Sequence, residues 1–427
     1  IYGISCPTQK QLDEHLVQLE EREARDHNRI GKEMKLFTFN EDVGQGLPLW
    51  LPNGEQLFHT LLEFMRKEEE LAGYHYVRTT AITKGKIFEK TGHIPYYADS
   101  MYAPIEIEGE NYYLKPMNCP QHHMIFQEMV KSYKQLPYRL AEAGNLYRYE
   151  LSGTLNGIIR ARGFTQNDAH TYVTPEQVEE EVTRVLQMNI RLYKTLGIEN
   201  YWFRLSLPDF EGHPEKYTGD HERWEQAAES LRKAAEHVKV KIIEAKDEAA
   251  FYGPKIDIQT RNVRGKEDTI ATVQLDVMVP KRIGLTYTDE NDQDAIPTVI
   301  HRAILGSYER FIGFLIEQTM GKFPLWLSPV QIKVLPLSEK FMKYGTEVYD
   351  ELKRRGFRVE MNATDETLNY RIRAAQMEKI PYMVIVGEKE AQAGTVSIRT
   401  RDGKQDNGLT MEDLETRLRH EIDGKKD

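Results

Sequence analysis

Cysteine is nearly missing from this chain: 427 residues contain two, Cys6 and Cys119. Two thiols cannot build a disulfide framework, so a reducing, cytoplasmic setting is the expectation. No C-x-x-C pair occurs, which removes a closed structural zinc site. No H-E-x-x-H occurs either, which argues against a zinc hydrolase carrying its glutamate base beside the ligands. No window approaches the apolar length of a membrane helix, and no signal-peptide pattern opens the chain. Repeats and low-complexity tracts are absent. Positive charge is not in excess. A net charge of −10 argues against a generally adhesive nucleic-acid binder, but a local basic groove remains compatible, because the placement of charge decides binding.

The remaining composition, 40% hydrophobic and 29% charged, is that of a soluble globular chain. Its length suits two or three domains. The chain starts at Ile1 rather than Met, which fits an excised or processed piece. A charged helix is expected over 9–35, with Leu12, Leu16 and Leu19 at helical spacing, acting as a connecting helix. A second helix is expected from Glu55 to near Gly73, followed by a strand over 74–78. Thr174-Pro175-Glu176 marks a helix start, with Val178, Val182, Leu186, Ile190 and Tyr193 on its buried face and Gly197 at its end. Strands are expected over 201–205 and 269–279, and a helix over 303–319. After Phe323–Pro329, short apolar strands alternate with helices, which implies a small, partly parallel α/β domain. Domains are therefore expected at 1–35, 36–323 and 324–427.

The stretch Asn145 to Tyr172 concentrates arginines and aromatics in a hairpin-like segment. A guanidinium grips carboxylate or phosphate with two parallel hydrogen bonds, which lysine cannot do. Glu150, two residues after Arg148, is expected on the same strand face, where it orients that arginine or reads a base edge. A solvated charged hairpin is the competing account. In Lys115-Pro-Met-Asn-Cys-Pro120, followed by Gln121-His122-His123, a lone cysteine near histidines suggests a metal ligand. A lone cysteine is more often a small core hydrophobe. An open catalytic zinc site needs only three protein ligands, and His170 and His301 are the best distant partners.

These segments resemble the class II aminoacyl-tRNA synthetases, and within them the threonyl-tRNA synthetase family. The resemblance rests on Arg25-Asp-His-Asn-Arg-Ile-Gly31, Glu89-Lys-Thr-Gly-His93, the Lys115–Pro120 block, Arg148-Tyr-Glu150 and Arg160-Ala-Arg-Gly-Phe-Thr-Gln166. Phe251-Tyr-Gly-Pro-Lys-Ile-Asp257, His301-Arg-Ala-Ile-Leu-Gly306 and Glu309-Arg310 complete it. It implies an α+β fold: an antiparallel-sheet catalytic domain plus a C-terminal α/β anticodon-binding domain, without the family's N-terminal editing region. It implies activation of L-threonine with ATP and Mg2+, then transfer to tRNA(Thr), by a homodimer. The alternative is a synthetase-like paralogue that binds RNA or a partner without aminoacylation. The related enzymes for proline, serine or glycine lack the Cys-His-His set with Asp168.

The resemblance also implies roles. Cys119, His170 and His301 match three Zn2+ ligands. Arg148 matches the arginine on the α-phosphate and carboxylate, Glu150 the adenine reader, and Arg160 and Arg310 further ATP contacts. Gln166, Asp168, Tyr252, Lys255 and Gln274 match positions lining the threonine and adenylate pocket, and Met117 an apolar wall. His93 matches a histidine near the acceptor adenosine. Asp365, Glu390 and Arg399 match anticodon-contacting positions. Thr80, Gln121 and Asp365 depart from the family's usual proline, glycine and asparagine. An ionised aspartate cannot donate a hydrogen bond, so base readout at Asp365 is expected to differ.

Overall fold

The computed structural model describes residues 5–424 apart from 215, 218 and 219; Ile1 lies outside them. The chain folds as two units, one of Phe39–Pro48 and Leu62–Phe314, the other of Ile1–Thr38, Leu49–Leu61 and Leu315–Asp427.

The first unit is organised by an eight-stranded sheet. Its strands are β1 (His75–Tyr76), β2 (Tyr138–Tyr147), β3 (Gly163–Val173), β4 (Tyr201–Leu207), β5 (Ile242–Lys246), β6 (Lys255–Arg261), β7 (Glu267–Asp276) and β8 (Thr298–Ala303). Their spatial order is β5-β4-β6-β7-β8-β3-β2-β1. Every pair is antiparallel except the two outermost, β5 with β4 and β1 with β2. This is the antiparallel-dominated sheet the resemblance implies. β8 is buried along nearly its whole length, which explains its continuous apolar character. The helix Val178–Thr195 presents Val182, Val185, Leu186, Leu192 and Tyr193 as its buried side. The capping box at Thr174 and Gln177 opens a short 3-10 turn that leads into it.

Boundaries differ from expectation where side chains compete for the backbone. β7 stops at Asp276 rather than running to Val279, because the Asp276 carboxylate accepts the N–H groups of Met278 and Val279 and starts the helix Val279–Ile283. The helix expected from Ala303 begins at Tyr308, since Ala303 still pairs with Thr272. β2 ends at Tyr147, so Arg148 and Glu150 lie in the loop beyond it and share no strand face.

In the second unit the helix expected over 9–35 is two helices, Gln9–Arg25 and His27–Glu33. Asp26 adopts non-helical φ/ψ and its side chain accepts from the N–H groups of Asn28 and Arg29, capping a new helix. The C-terminal part holds a five-stranded sheet: β9 (Ile332–Pro336), β10 (Val359–Met361), β11 (Tyr382–Val386), β12 (Val396–Thr400) and β13 (Gln405–Leu409), in the order β10-β9-β11-β12-β13. The pairs of β9 with β10 and β11 are parallel, and those of β12 are antiparallel. Ile332, Val334, Val384 and Ile398 pack against Val348, Leu352, Leu414 and Leu418 from its helices. Among the described residues no helix is long and apolar enough to cross a membrane.

A buried ion pair sits within the large sheet's unit. Arg302 of β8 and Glu69 are both fully enclosed, 2.5 Å apart. Glu69 also accepts from Asn167 Nδ2 at 2.8 Å and from the Tyr76 hydroxyl, and Arg302 lies 4.3 Å over the Tyr74 ring. Losing one partner of such a pair strands the other charge. Arg302→Met is expected to destabilise the fold by about 3–5 kcal/mol in urea denaturation. The double change Glu69→Met with Arg302→Met should recover most of that loss.

Candidate functional site

Register across four strands collects the chemistry-bearing residues into one row. Lys255 on β6 faces Gln274 on β7, Gln274 faces His301 on β8, and His301 faces His170 on β3. Two residues along, on the same face, Asp257, Thr272 and Ala303 form the next row. The small side chains of Thr272 and Ala303 leave space above the sheet. That space is a cavity of about 500 Å³ lined in part by Met117, Cys119, Arg148, Asp168, His170 and His301. Gln166, Tyr252, Lys255 and Gln274 also line it.

Cys119 reaches this row from the first position of the helix Cys119–Met129, with Pro120 directly after it, where a missing N–H costs the helix nothing. The ligand atoms of Cys119, His170 and His301 all lie within 4.8 Å of one another, and all three residues are buried. Burial pushes the Cys119 thiol up, with Asp168 and Asp276 adding to it. Burial holds His170 neutral. One sulfur and two imidazoles form a donor set suited to zinc with a position left open. His301 also has an outer partner of the kind metal ligands carry, its Nε2 lying 3.2 Å from Asp276; His170 Nδ1 lies 2.8 Å from His122 Nδ1. The residues fit the ion.

A second cavity of about 230 Å³ carries positive charge, with Arg148, Arg160 and Arg310 in its lining beside Glu150. Arg148, Gln166, Thr272, Gln274 and Ala303 line both cavities, so the two are continuous. Arg148 donates to the Pro116 carbonyl at 3.2 Å and lies 5.1 Å over the Phe164 ring. Among the described residues its guanidinium is thus fixed without a carboxylate partner. Glu150 bonds Arg160, with Nε at 2.9 Å, and not Arg148. Arg310 donates to the carbonyls of Ile159 and Thr269 at 3.0 and 3.1 Å. Burial holds it below its usual value, and Arg148 and Arg160 add to that. Lys255 pairs with Asp257 at 2.9 Å, and the Tyr252 hydroxyl bonds Gln274.

His93 is fully buried and does not line either cavity. Its Nδ1 bonds Thr91 Oγ1 at 2.8 Å, and its Nε2 lies 3.2 Å from Met117 Sδ and 3.5 Å from Cys119 Sγ. Burial, then the charges of His301, Arg148 and Arg282, push it down to about 3. In the C-terminal part, Glu390 is occupied internally: it accepts from Gly387 N–H at 3.0 Å and Ser397 Oγ at 2.7 Å. Asp365 is exposed on a loop, and Arg399 sits on β12 with a buried, unpaired Nε. The departures Thr80 and Gln121 touch each other, Gln121 Nε2 donating to Thr80 Oγ1 at 3.0 Å.

Sequence reasoning missed Asn118, His122, Glu142 and Asp276, which hold the site from behind. Their signal was weak. Glu142 is the lone carboxylate of its strand, and His122 looked like a neighbour of Cys119 rather than a support for His170.

Residues 102–319 match the family described as tRNA synthetase class II core domain (G, H, P, S and T). Residues 331–421 match an anticodon binding domain. The chain is 43% identical to a threonine–tRNA ligase of Geobacillus kaustophilus over 427 residues, covering all of this chain and 65% of that protein. A threonine–tRNA ligase of Prosthecochloris aestuarii is 45% identical, with the same coverage. The chain thus spans about two thirds of the length of these curated relatives. Among solved structures, the RNA binding domain of threonyl-tRNA synthetase from Cryptosporidium parvum is similar at a TM-score of 0.87 and 38% identity, over 93% of this chain and 98% of that one.

Gly144 makes room for the support. A Cβ there would lie 2.5 Å from Asn118 Oδ1, and Asn118 Nδ2 donates to Asp168 at 2.9 Å. Gly144→Ala is expected to cost about 1–3 kcal/mol by overpacking. In an Asn118→Ala background the added cost should fall toward zero, which a double-mutant cycle in urea would read.

Proposed function

The chain belongs to the class II tRNA synthetases, and to their threonyl-tRNA synthetase family; on that premise we propose that it activates L-threonine with ATP and transfers it to tRNA(Thr). The observation that carries this reading is the continuity of the two cavities. One offers a Cys-His-His donor set beside Asp168, the other three arginines and Glu150, and Arg148 lines both.

In the first step a threonine carboxylate oxygen attacks the α-phosphorus of ATP, and pyrophosphate leaves in line. Such a reaction is served mostly by positioning and charge stabilisation. Arg148 at the junction would hold the carboxylate and α-phosphate together, and its contact with Pro116 and Phe164 means little reorganisation on binding. Arg310, already bonded to two carbonyls, would face the outer phosphates, with Mg2+ arriving on the nucleotide. Glu150 would read adenine, exchanging part of its pairing with Arg160. Lys255 and Gln274 would line the adenylate.

Threonine and valine have nearly the same shape, and an apolar pocket separates such isosteres by only about 10²-fold. Cys119, His170 and His301 would hold Zn2+, which when bound supplies an open position for the amino and hydroxyl groups of threonine. Asp168, Gln166 and Tyr252 line the same cavity and would meet those polar groups, with Met117 as an apolar wall. Leaving such groups unpaired is what rejects an analogue lacking the hydroxyl, by roughly 10⁴–10⁵.

In the second step a ribose hydroxyl at the 3′ end of the tRNA attacks the threonyl carbonyl, and AMP leaves. His93, kept neutral by burial, is the group we assign to that hydroxyl's proton. Its Nε2 would turn from Met117 toward the ribose. Asp365, Glu390 and Arg399 are assigned to the anticodon; of the three, Asp365 and Arg399 have side chains with atoms left over for a base. A homodimer in the cytoplasm completes the reading.

Threonine-dependent ATP–pyrophosphate exchange tests it. Exchange with threonine and essentially none with valine is expected, and an RNA-binding paralogue would show none with either. Cys119→Ala should lose most threonine exchange, and its preference over valine should fall toward about 10². Arg148→Lys should lower kcat by roughly 10²-fold or more, since a point charge cannot replace the bidentate fork; unchanged kcat would remove Arg148 from the assignment.

A further inference from the structure

We propose that Glu142, which lines neither cavity, is a positioning residue that fixes the protonation pattern of His170 through His122 and holds Asp168 through Lys115 and Asn118. This inference rests on the synthetase reading above, because it assigns a purpose to the donor set at that site.

The argument begins with which atoms can donate. A carboxylate only accepts hydrogen bonds. Glu142 Oε2 lies 3.0 Å from His122 Nε2, so the proton in that contact belongs to His122. Burial works against charge on Glu142, yet His122, the Thr79 N–H and Lys115 together bring it down to about 2. It is therefore a carboxylate at any working pH. With that proton on Nε2, His122 turns its other ring nitrogen, Nδ1, toward His170 as the acceptor. That atom lies 2.8 Å from His170 Nδ1, an arrangement in which His170 supplies the proton. His170 is left with an unprotonated Nε2, the form a metal requires.

The other arm of Glu142 serves Asp168. The two carboxylates are direct partners across β2 and β3, an arrangement that is unfavourable for like charges. Lys115 lies between them: its Nζ is 3.6 Å from Glu142 Oε1 and donates to Asn118 Oδ1 at 2.8 Å. Asn118 Nδ2 in turn donates to Asp168 at 2.9 Å. Glu142 is itself anchored by the backbone N–H of Thr79 at 2.7 Å and by the Thr79 hydroxyl. One buried side chain thus ties the candidate metal ligand and the substrate-facing carboxylate to a common backbone point.

Glu142→Gln discriminates this role from packing, because it keeps the volume and shape. An amide can donate as well as accept, so it permits the opposite His122 tautomer and a His170 whose Nε2 carries a proton. Zinc affinity, measured by chelator competition on the full chain, is expected to fall roughly 10- to 100-fold. The visible absorption of the Co2+-loaded protein should shift. Glu142→Asp, which keeps an acceptor-only group, should restore part of the affinity. If Glu142→Gln does not fold, His122→Leu provides the same reading, with the same loss expected. Wild-type affinity and an unchanged Co2+ spectrum in a folded Glu142→Gln or His122→Leu protein would overturn the proposal, and so would a wild-type protein that binds no zinc. Threonine exchange by the wild type is scored separately: its absence defeats the synthetase reading, whereas zinc binding indifferent to Glu142 defeats only this inference.

Discussion

The pairing of His301 with His170 across β8 and β3 sets the positions of the side chains that rise from the sheet into the cavity. Side chains alternate along a strand, so a slip of one residue would turn an entire row to the opposite face. The same constraint links β6, β7 and β8, and it carries Lys255, Gln274 and His301 into line. Cys119 comes from a helix, and its place at the first helical position puts its sulfur at the edge of that row. The site is therefore a property of register first and of individual residues second.

Burial then dictates the electrostatics. Charges under the sheet are tolerated because each has a partner: Arg302 with Glu69, Lys255 with Asp257, and Glu142 with His122 and Lys115. Arg148 is the contrast. It has aromatic faces and a carbonyl for company, but no carboxylate within ion-pairing reach among the described contacts. A fixed cation without a counter-charge, at the meeting point of two cavities, is suited to an incoming anion.

Motifs with unusual residue content were legible in the sequence. The Arg148–Gln166 segment, the Cys119 block and the histidines at 170 and 301 stood out by type, and most of them line the two cavities. The register that joins them was not legible, because it depends on pairings between strands far apart in the chain, which no local periodicity reports. Short elements were lost for a related reason. The strand 242–246 is only partly buried, so its pattern carries no clean alternation. Arg148 and Glu150 were placed on one strand by spacing, whereas the chain leaves the ladder after Tyr147 and Glu150 turns to Arg160. The breaks at Asp26 and Asp276 follow from side chains that capture backbone N–H groups, a competition that apolar periodicity does not register.

The bond between Gln121 and Thr80 has a consequence for how this sequence can have diverged. Proline at 80 would offer no hydroxyl, and Gln121 would then keep a half-buried amide with nothing to bond at either end, since its Oε1 is already unpaired. Glycine at 121 would leave Thr80 with only its contact to the Ile82 carbonyl. The path of least cost between the two pairings loses the glutamine first and gains the proline second.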